Sequence, residues 1–488
     1  MTFGVSAGAY SGIVDKSFVI NGSGVLSGGI VITSKKGPRG MNVVTSATEF
    51  TNLYGKPTMD NPSMFCALRF LNRGNILSVY RVIVDATVAE GELLVGTDPI
   101  FTVTAASEGA WGNKIKVHVE PVENPTFDSV YILVEDDGVI VEKFEVSRDT
   151  EARNGFGSTL FVEDVVNKRS RYIRIDDDPS VAGNYPTGAT VNLTGGSDDS
   201  VAPSSGAIIA AWDEFINPEL VPANILINAG WAVPAIHQKM LAVAEQRRDS
   251  VAILDVPEET STSVHDMVLY RKTLLGADTY YGGLYGGWLR VYDPEADREV
   301  LIPPSGDVAA VFVHTSTVAE RWDAPAGMQR GVIPNAVGVS IVMSEGERDM
   351  AYEAGINPVT SYGGANAVIW GQKTLQLRQS ALDRFNVVNL VLWLNERMTE
   401  SMRPYVFQPN TKETRDSVNY LISNFLGDIQ KRGGLYDFYV DTSDELNTAQ
   451  VIDNNQMLVN VFIAPTRTAE FIRISTTIAP TGVTLSSI

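Results

Sequence analysis

The stretch MLVNVFIAP at residues 457–465 is followed closely by AEFIRISTTIAP at residues 469–480. Each is a strand-length run of β-branched, aromatic and other apolar residues, which is typical of β-strands. The first run has almost no polar alternation, so burial is expected on both faces, whereas Phe471 and Ile472 in the second run lie on opposite faces. A strand with an apolar face and an unpaired edge tends to aggregate unless another strand covers that edge. These runs should therefore complete a sheet of their own chain or add to a sheet of a neighbour.

A helix is predicted before the first of these runs, over residues 412–432, because its apolar side chains recur at helical spacing on one face. That face consists of Val418, Leu421, Ile422, Phe425, Leu426 and Ile429. Acidic residues near its start, basic residues near its end and a following Gly433 match the helix dipole and a C-terminal stop. Strands over 435–440 and 457–464 should form a small sheet that this helix covers.

Residues 205–368 alternate strands and helices in the manner of an α/β domain. A strand at 224–228, a helix at 234–248 and a strand at 251–255 predict a βαβ unit. A single strand is expected over 280–292. A further helix is expected over 372–383, where the C-terminal region begins.

The N-terminal part divides into three segments. Residues 1–24 are glycine-rich with one strand-like piece at 13–20, which predicts a flexible arm that carries a strand. Residues 25–87 predict a compact α/β segment. From 88 to 199, short strands are separated by turn signals, which predicts an inserted β-sandwich or barrel.

Charge is distributed unevenly along the 488 residues, with a net charge of +1 over residues 1–100, −19 over 101–350 and −2 over 351–488. Direct nucleic-acid binding is disfavoured, because phosphate contacts need concentrated Lys and Arg. Close self-association would meet least repulsion at the nearly neutral ends, and the acidic middle suits a solvent-facing exterior. The alternative is an acidity that has no bearing on assembly.

Composition narrows the class of protein further. The length predicts two to four domains. The single cysteine, Cys66, excludes a disulfide framework and is expected to be buried as a small apolar residue. No secretory signal is evident, and no apolar run is long enough to predict a membrane span. We therefore expect folding in a reducing cytoplasm.

No pattern of catalytic or ligand-binding residues stands out. His118, His237, His265 and His314 lie in no triad motif and at no metal-ligand spacing, so packing or surface roles are expected. The acidic run at 176–178 lacks the spacing of a calcium loop, and a solvated loop is favoured over a weak cation site. No glycine motif for phosphate binding is present. The sequence predicts no catalytic residue, no metal and no cofactor.

Three blocks of sequence, occurring in order, bracket nearly the whole chain. They are KKGPRG (35–40), VVTSATEFTNLYG (43–55) and FLNRGNILSVYRV (70–82); then VIWGQKTLQ (368–376), RFNVVNLVLWLNERM (384–398), YVFQPN (405–410) and GGLYDFYVD (433–441); and finally NNQMLVNVFIAPTRTAEFIRISTTIAP (454–480). Together they resemble the contractile phage tail sheath proteins, and the C-terminal block resembles that family's signature.

The resemblance implies a multidomain fold of α/β and α+β domains, in which the central α/β domain is subtilisin-like and the C-terminal α+β domain exchanges terminal strands with neighbours. The expected layout is an N-terminal arm (1–24), an α/β segment (25–87), an inserted β-rich domain (88–199), the central domain (205–368), the C-terminal domain (369–465) and a C-terminal arm (466–488).

The resemblance also implies a function. The chain would be a structural subunit of a bacteriophage tail sheath, and not an enzyme. It would polymerise as stacked rings in a helical array around the tail tube and contract to drive the tube through the host envelope. Expected partners are further copies of the chain and the tail tube, baseplate and tail terminator proteins, with no direct contact to nucleic acid or membrane. The expected location is the virion, after assembly in the host cytoplasm.

Two alternatives remain open. The first is a sheath of a related contractile injection system. A distant second is a hydrolase built on the central α/β domain, which would require Ser, His and carboxylate side chains to converge in space.

In the family, strands donated by neighbours complete the C-terminal sheet of each subunit. The resemblance thus assigns donated strands to 13–20 and 470–478 and receiving strands to 435–440 and 457–464. The residues expected to take part are Ile13, Val14, Phe18, Ile20, Tyr436, Phe438, Val459, Val461, Phe471, Ile472 and Ile474. Contact with the tube is expected from the C-terminal domain, and the candidate residues are Lys412, Arg415, Lys431 and Arg432.

Overall fold

The computed structural model describes residues 26–123 and 128–470. These described residues separate into two compact units, one of residues 26–320 with Pro325–Val388 and one of Arg321–Ala324 with residues 389–470. Several predicted strand-exchange residues lie outside the described residues, namely Ile13, Val14, Phe18, Ile20, Phe471, Ile472 and Ile474.

The larger unit begins with an α/β segment. Its elements are β1 (Gly28–Ile32), β2 (Gly40–Val44), α1 (Ala47–Tyr54), α2 (Pro62–Leu71) and β3 (Leu77–Arg81). Helix α1 begins after Ser46, whose Oγ accepts a hydrogen bond from the Glu49 N–H (3.1 Å). Cys66 lies in α2 and is fully buried, which confirms its predicted role as a packing residue.

Residues 88–199 are rich in strands. The described elements are β4 (Glu90–Val95), β5 (Asp98–Ala105), β6 (Ile115–Pro121), β7 (Ser129–Asp136), β8 (Val139–Ser147), α3 (Val162–Arg169), β9 (Ile173–Asp177) and β10 (Thr190–Asn192). The strands form antiparallel sheets in the orders β4-β5-β9 and β10-β6-β7-β8. Both sheets contribute to one apolar cluster.

The solvated loop predicted over residues 176–178 is wrong for Asp176 and Asp177, which belong to β9. The Asp177 carboxylate accepts hydrogen bonds from Arg148 Nε (3.0 Å) and from the Tyr185 hydroxyl (2.6 Å). Charge pairing within the fold therefore accounts for this acidic residue, since buried carboxylates need such partners.

The central segment follows the insert. Its elements are α4 (Ser205–Asp213), β11 (Ile225–Ile227), α5 (Pro234–Arg247), β12 (Val251–Asp255), α6 (Val264–Leu269), a π-helical turn (Tyr270–Leu275), β13 (Gly282–Gly286), β14 (Leu289–Asp293), β15 (Arg298–Ile302), α7 (Ser305–Val318), α8 (Gly327–Arg330), β16 (Gly338–Val339), α9 (Glu345–Glu353), β17 (Ile356–Tyr362) and β18 (Ala365–Ile369).

Among the described strands, eight form one sheet in the order β18-β17-β13-β12-β11-β1-β3-β2. The pairs from β17 to β3 are parallel, and β18 and β2 add antiparallel edges. Strands β1, β11, β12 and β13 are buried along their whole length, as expected for parallel strands covered on both faces. The parallel pairing of β11 with β12 across α5 confirms the predicted βαβ unit.

The single strand predicted over 280–292 is wrong, because the chain turns at Gly287 and enters a different sheet. Gly287 has a φ of +101°, and a Cβ atom there would lie 2.1 Å from the Val359 carbonyl oxygen. Only glycine tolerates both conditions. Strand β14 consequently pairs with β15 and β16.

The helix predicted over 372–383 is also wrong, because this segment is extended and irregular until a 3-10 turn at Ala381–Asp383. Its backbone donors bond to distant groups: Lys373 N–H to Asn357 Oδ1 (2.6 Å) and Leu375 N–H to the Gly282 carbonyl (2.9 Å). Tertiary hydrogen bonds thus replace the local ones that a helix would have used.

The C-terminal region consists of α10 (Phe385–Met402), α11 (Lys412–Lys431), β19 (Leu435–Asp441), α12 (Ala449–Asp453) and β20 (Asn460–Pro465). Helix α11 confirms the helix predicted from residue 412. Strands β19 and β20 pair with each other in antiparallel register.

A buried carboxylate lies at the C-terminal end of β12. Asp255 accepts hydrogen bonds from the Ser305 N–H (2.8 Å), the Ser305 hydroxyl (2.7 Å) and the Gly230 N–H (3.0 Å). Burial nevertheless raises the pKa of Asp255 to about 6, and these hydrogen bonds offset only part of that effect. Asp255 therefore takes up a proton more readily in the folded than in the unfolded chain.

A buried histidine lies on α5 in the same unit. His237 is bonded through Nε2 to Asn228 Oδ1 (3.3 Å) and through Nδ1 to the Tyr270 hydroxyl (3.0 Å). The Asn228 amide nitrogen donates to the Trp231 carbonyl, so its oxygen must accept from the imidazole. Burial lowers the pKa of His237 to about 3, which keeps the ring neutral.

These two residues should have opposite effects on acid stability. Below its ordinary pKa, unfolded His237 binds a proton that the folded chain does not, so stability is lost as the pH falls through about 6.5. Folded Asp255 binds a proton between about pH 6 and 4 that the unfolded chain releases, which favours folding there. When the pH falls from 7 to 5, the free energy of unfolding of His237→Gln should decrease by about 2 kcal/mol less than that of the wild type. The free energy of unfolding of Asp255→Asn should decrease by about 1 kcal/mol more than that of the wild type.

The measurement is denaturant unfolding of each variant at both pH values, and the difference between the two values cancels the constant effect of the substitution. His265→Gln is a suitable control, because His265 is exposed on α6. If the free energy of unfolding changes equally between the two pH values in all variants and the wild type, the interpretation is wrong.

Candidate assembly surface

Helix α11 organises the smaller compact unit. It begins after Thr411, whose hydroxyl accepts a hydrogen bond from the Thr414 N–H (3.3 Å). The predicted apolar face is buried, and it packs in one cluster with residues of α10 and β19. Trp322 joins this cluster and lies 6.1 Å from the Trp393 ring. No local pattern indicates this role, because Trp322 precedes α11 by a long stretch of chain.

The β19–β20 sheet carries its apolar side chains on the face that α11 covers. Phe438, Val459, Val461 and Ile463 are half-buried against the α11 cluster. In β20 these side chains alternate with exposed ones, and Phe462 is 56% exposed. Among the described residues, the burial expected on both faces of residues 457–465 is therefore not found.

The opposite face of this sheet exposes aromatic rings. Tyr436 is 71% exposed and Tyr439 is 62% exposed. The rings of Tyr439 and Phe462 stack across the two strands, with centroids 6.1 Å apart. We call Tyr439 and Phe462 the outer aromatic face; Tyr436 is also exposed and lies where the register of the two strands shifts. Grouped exposed apolar side chains mark surfaces that interact with other molecules.

The edges of the sheet are also available for pairing. In the part of the chain that the structure describes, β19 and β20 pair with no strand other than each other. Each strand consequently has one edge without a described strand partner, and such an edge is a template for a further strand.

The four candidates for tube contact differ in their surroundings. Lys412 and Lys431 are exposed at opposite ends of α11. Arg432 is also exposed, pairs with Asp428 (3.5 Å) and lies 5.3 Å from the Trp322 ring centroid. Exposed cations at both ends of the helix could therefore meet another molecule.

The remaining candidate, Arg415, is buried. Its guanidinium donates to Asn410 Oδ1 (3.0 Å) and forms an ion pair with Asp444. Arg415 thus forms contacts within its own unit and is not exposed for contact with another protein.

Another arginine of this unit, Arg321, interacts electrostatically with residues of α10. Burial lowers the pKa of Arg321 to about 10, and the carboxylate of Glu396 on α10 opposes that effect. The guanidinium is therefore charged at neutral pH.

The side chains of the central segment do not form a catalytic triad among the described residues. Ser305 and Asp255 are bonded to each other, but His237 is bonded to Asn228 and Tyr270 instead of to Ser305. Both Ser305 and Asp255 are fully buried. A hydrolase needs a serine that is bonded to a general base and accessible to substrate.

The described residues contain neither a metal-binding cluster nor a membrane-spanning helix. Within 26–123 and 128–470, no three His, Cys, Asp or Glu side chains group closely enough to hold a metal ion. None of the helices described has the length and apolar character needed to cross a membrane.

Comparison with known proteins identifies the relatives of this chain. Residues 202–375 match the family model described as the phage tail sheath protein central domain, and residues 378–479 match the phage tail sheath C-terminal domain. The tail sheath protein of Enterobacteria phage T4 is 28% identical over 382 residues, which cover 73% of this chain and 57% of the T4 protein. The chain spans about half the length of the curated relatives it matches.

Solved structures show the same fold. The sheath tail protein of Desulfitobacterium hafniense superposes with a TM-score of 0.60 at 16% identity, over 94% of this chain and 100% of the other. The sheath of an extracellular contractile injection system, PVC, in its contracted state gives a TM-score of 0.57 at 14% identity, over 98% of each chain. The two sheath-domain matches together cover more than half of the sequence, and the chain belongs to the contractile phage tail sheath family.

Proposed function

We propose that this chain is a structural subunit of a bacteriophage tail sheath, which polymerises around a tail tube and contracts to drive the tube through the host envelope. The observation that carries the proposal is the β19–β20 sheet, which has an outer aromatic face and edges without a described strand partner. A subunit of a polymer needs such an unfinished surface, whereas a monomeric enzyme does not. Membership of the sheath family supports the same conclusion.

Neighbouring subunits complete the β19–β20 sheet in this proposal. The donated strands are residues 13–20, with Ile13, Val14, Phe18 and Ile20, and residues 470–478, with Phe471, Ile472 and Ile474. Each would add a row of main-chain hydrogen bonds at a sheet edge. Two neighbours could then be held at once, since the sheet has two outer edges.

The central domain contributes a stiff body to this mechanism. We interpret its mainly parallel sheet as subtilisin-like, with helices covering both faces, and we place no catalysis there. The Ser305–Asp255 pair is sealed from solvent and bonded internally, which supports a purely structural role. The domain layout expected from the sequence then assigns residues 88–199 to an external insert, and the body combines residues 205–368 with β1, β2 and β3, which share its sheet.

Contraction without nucleotide requires free energy stored during assembly. Subunit interfaces would be built in a metastable arrangement and pass to one of lower free energy. Glycine-rich arm residues would act as hinges, so that subunits rotate as nearly rigid bodies while their exchanged strands remain paired.

The proposed assembly also implies which other proteins this chain contacts. The tube would meet the C-terminal domain, and the exposed Lys412, Lys431 and Arg432 are the residues we propose for that contact. The ends of the array would meet baseplate and tail terminator proteins. Assembly would take place in the host cytoplasm, and the product would be part of the virion.

The sheath of a related contractile injection system is the second candidate. The likeness to the PVC sheath over 98% of the chain favours it. The neighbouring genes and electron microscopy of the native particle distinguish the two, because only a phage particle carries a capsid on the tail.

Terminal truncation tests the strand exchange. The full chain, purified without tube or baseplate, should polymerise into tubes visible by electron microscopy. Truncation after Pro465 should leave a monomer that unfolds cooperatively, because the α11 cluster and the β19–β20 sheet remain complete. It should not polymerise, because one strand link is lost.

Removal of residues 1–20 should have the same effect through the other link, and the double truncation should be no worse than either alone. Circular dichroism monitors folding, and sedimentation monitors assembly. If truncation after Pro465 unfolds the monomer outright, the strand belongs to its own domain and the exchange is wrong.

Substitution on the outer aromatic face tests the surface itself. Phe462→Ser should change the free energy of unfolding of the monomer by less than about 1 kcal/mol, because the side chain is largely exposed. Polymer formation should be strongly reduced. Phe156→Ser is the matched control, since Phe156 is 95% exposed in the insert. Equal polymer yields from the two variants would argue against this face as an interface.

Deletion of the insert tests its proposed external position. Thr87 and Ser197 exchange backbone hydrogen bonds (3.1 and 3.3 Å), so a short glycine-serine linker can replace residues 88–196 without moving the ends. The shortened chain should fold and still form tubes, as judged by electron microscopy. A shortened chain that folds but never polymerises would show that the insert belongs to the lattice.

A further inference from the structure

A pocket in the larger unit is lined mainly by cations. It has a volume of about 260 Å³ and lies between the π-helical turn, the end of α9 and the segment that follows β18. Its charged lining residues among those described are Arg271, Lys373, Arg378, Arg384, Glu353 and Asp383. Four cations face two carboxylates here, in a chain whose net charge is −20. The pocket is thus locally positive although the chain as a whole is negatively charged, and this difference needs an explanation.

Arg271 is the buried cation of this pocket and is only 3% exposed. Its Nη2 donates to the carbonyls of Ala277 (2.8 Å) and Leu375 (2.9 Å), which fix the plane of the guanidinium. Its Nε is buried and has no acceptor within the described part of the chain. A buried N–H without an acceptor is unfavourable, and an acceptor bound in this pocket would satisfy it.

The backbone keeps room beside that atom. Gly355 lines the same pocket, and a Cβ atom on it would lie 3.8 Å from Arg271 Nε. Gly355 has a φ of +81°, so a side chain is disfavoured there. Arg271 itself lies on a π-helical turn, a conformation often found at functional sites.

Two other cations are held in place by neighbouring groups. Lys373 donates to the Tyr352 carbonyl (2.7 Å) and lies 4.4 Å from its ring centroid. Arg384 pairs with Asp383 (3.2 Å), which balances one of the two carboxylates. The pocket is therefore organised before any ligand arrives, and less ordering is required on binding.

The charge state agrees with this geometry. Burial lowers the pKa of Arg271, and Asp278 opposes that effect only in part. The pKa of a cation falls in this way when burial removes its hydration and nearby anions compensate only in part. A bound anion would restore the balance.

We propose that this pocket binds an oxyanion, with Arg271 Nε as its buried donor and the exposed Arg378 as a second cation. Guanidinium groups bind carboxylate and phosphate oxygens through charge-assisted hydrogen bonds. Two sources offer this chemistry: free inorganic phosphate, and an Asp or Glu carboxylate of a second copy of this acidic chain. Binding of free phosphate does not depend on the proposed sheath function, whereas the second source rests on the proposed assembly.

The test is a titration of the full-length chain with inorganic phosphate at constant ionic strength, measured by isothermal titration calorimetry and by thermal unfolding. The wild type should bind one phosphate per chain, and sodium chloride alone should give no saturable signal. Arg378→Gln should weaken the phosphate affinity by about tenfold, because it removes one charged hydrogen-bond donor. Arg298→Gln, at an exposed arginine of β15 outside the pocket, should leave it unchanged.

A second variant tests the pocket without removing a cation from it. Gln379 lines the pocket and is exposed, so Gln379→Glu supplies a carboxylate within the chain. It should raise the melting temperature in the absence of phosphate and abolish the response to phosphate. Absence of saturable binding by the wild type overturns the proposal, and so does binding that neither Arg378→Gln nor Gln379→Glu alters.

Polymerisation assays separate the two sources of the anion. If phosphate slows assembly of the wild type, the pocket receives a carboxylate of a second copy in the polymer. If phosphate binds and assembly proceeds at the same rate, the ligand is the free anion. Both results support an oxyanion site.

Discussion

A helix can cover only one face of a sheet as small as β19–β20, and this limit decides which side chains of the smaller unit are exposed. Helix α11 buries the inner side chains of the sheet and leaves Tyr439 and Phe462 exposed on the other side. The apolar cluster makes the unit stable enough to present that surface, since a pair of strands alone would be marginal. In the described part of the chain, one face and two edges of this sheet are thus uncovered, which is the property that the proposed polymer requires.

The larger unit obeys the opposite constraint, because its parallel strands bury both faces. Polar groups inside it must then be satisfied internally. Asp255 receives three donors, and His237 is held neutral between two partners. Both side chains are fully buried. A body bonded in this way suits movement as a unit in the proposed contraction.

Some predictions failed where distant contacts replaced local preference. Residues 372–383 have a helical pattern, yet Lys373 and Leu375 donate to groups on β17 and β13. Residues 280–292 read as one strand, but Gly287 turns the chain because the Val359 carbonyl leaves no room for a side chain. Neither partner is adjacent in sequence, so no pattern of neighbouring residues could have revealed these contacts.

The sequence by itself determined the elements whose cause is local. The apolar spacing and terminal charges of 412–432 predicted α11, the alternation over 224–255 predicted the βαβ unit, and ordered blocks indicated the family. Only the tertiary structure decided which side chains are exposed. It exposed Phe462, buried Arg415 against Asp444, brought Trp322 into the α11 cluster and assembled the Arg271 pocket. The physical reason is that burial depends on what packs against a residue, and those partners come from distant parts of the chain.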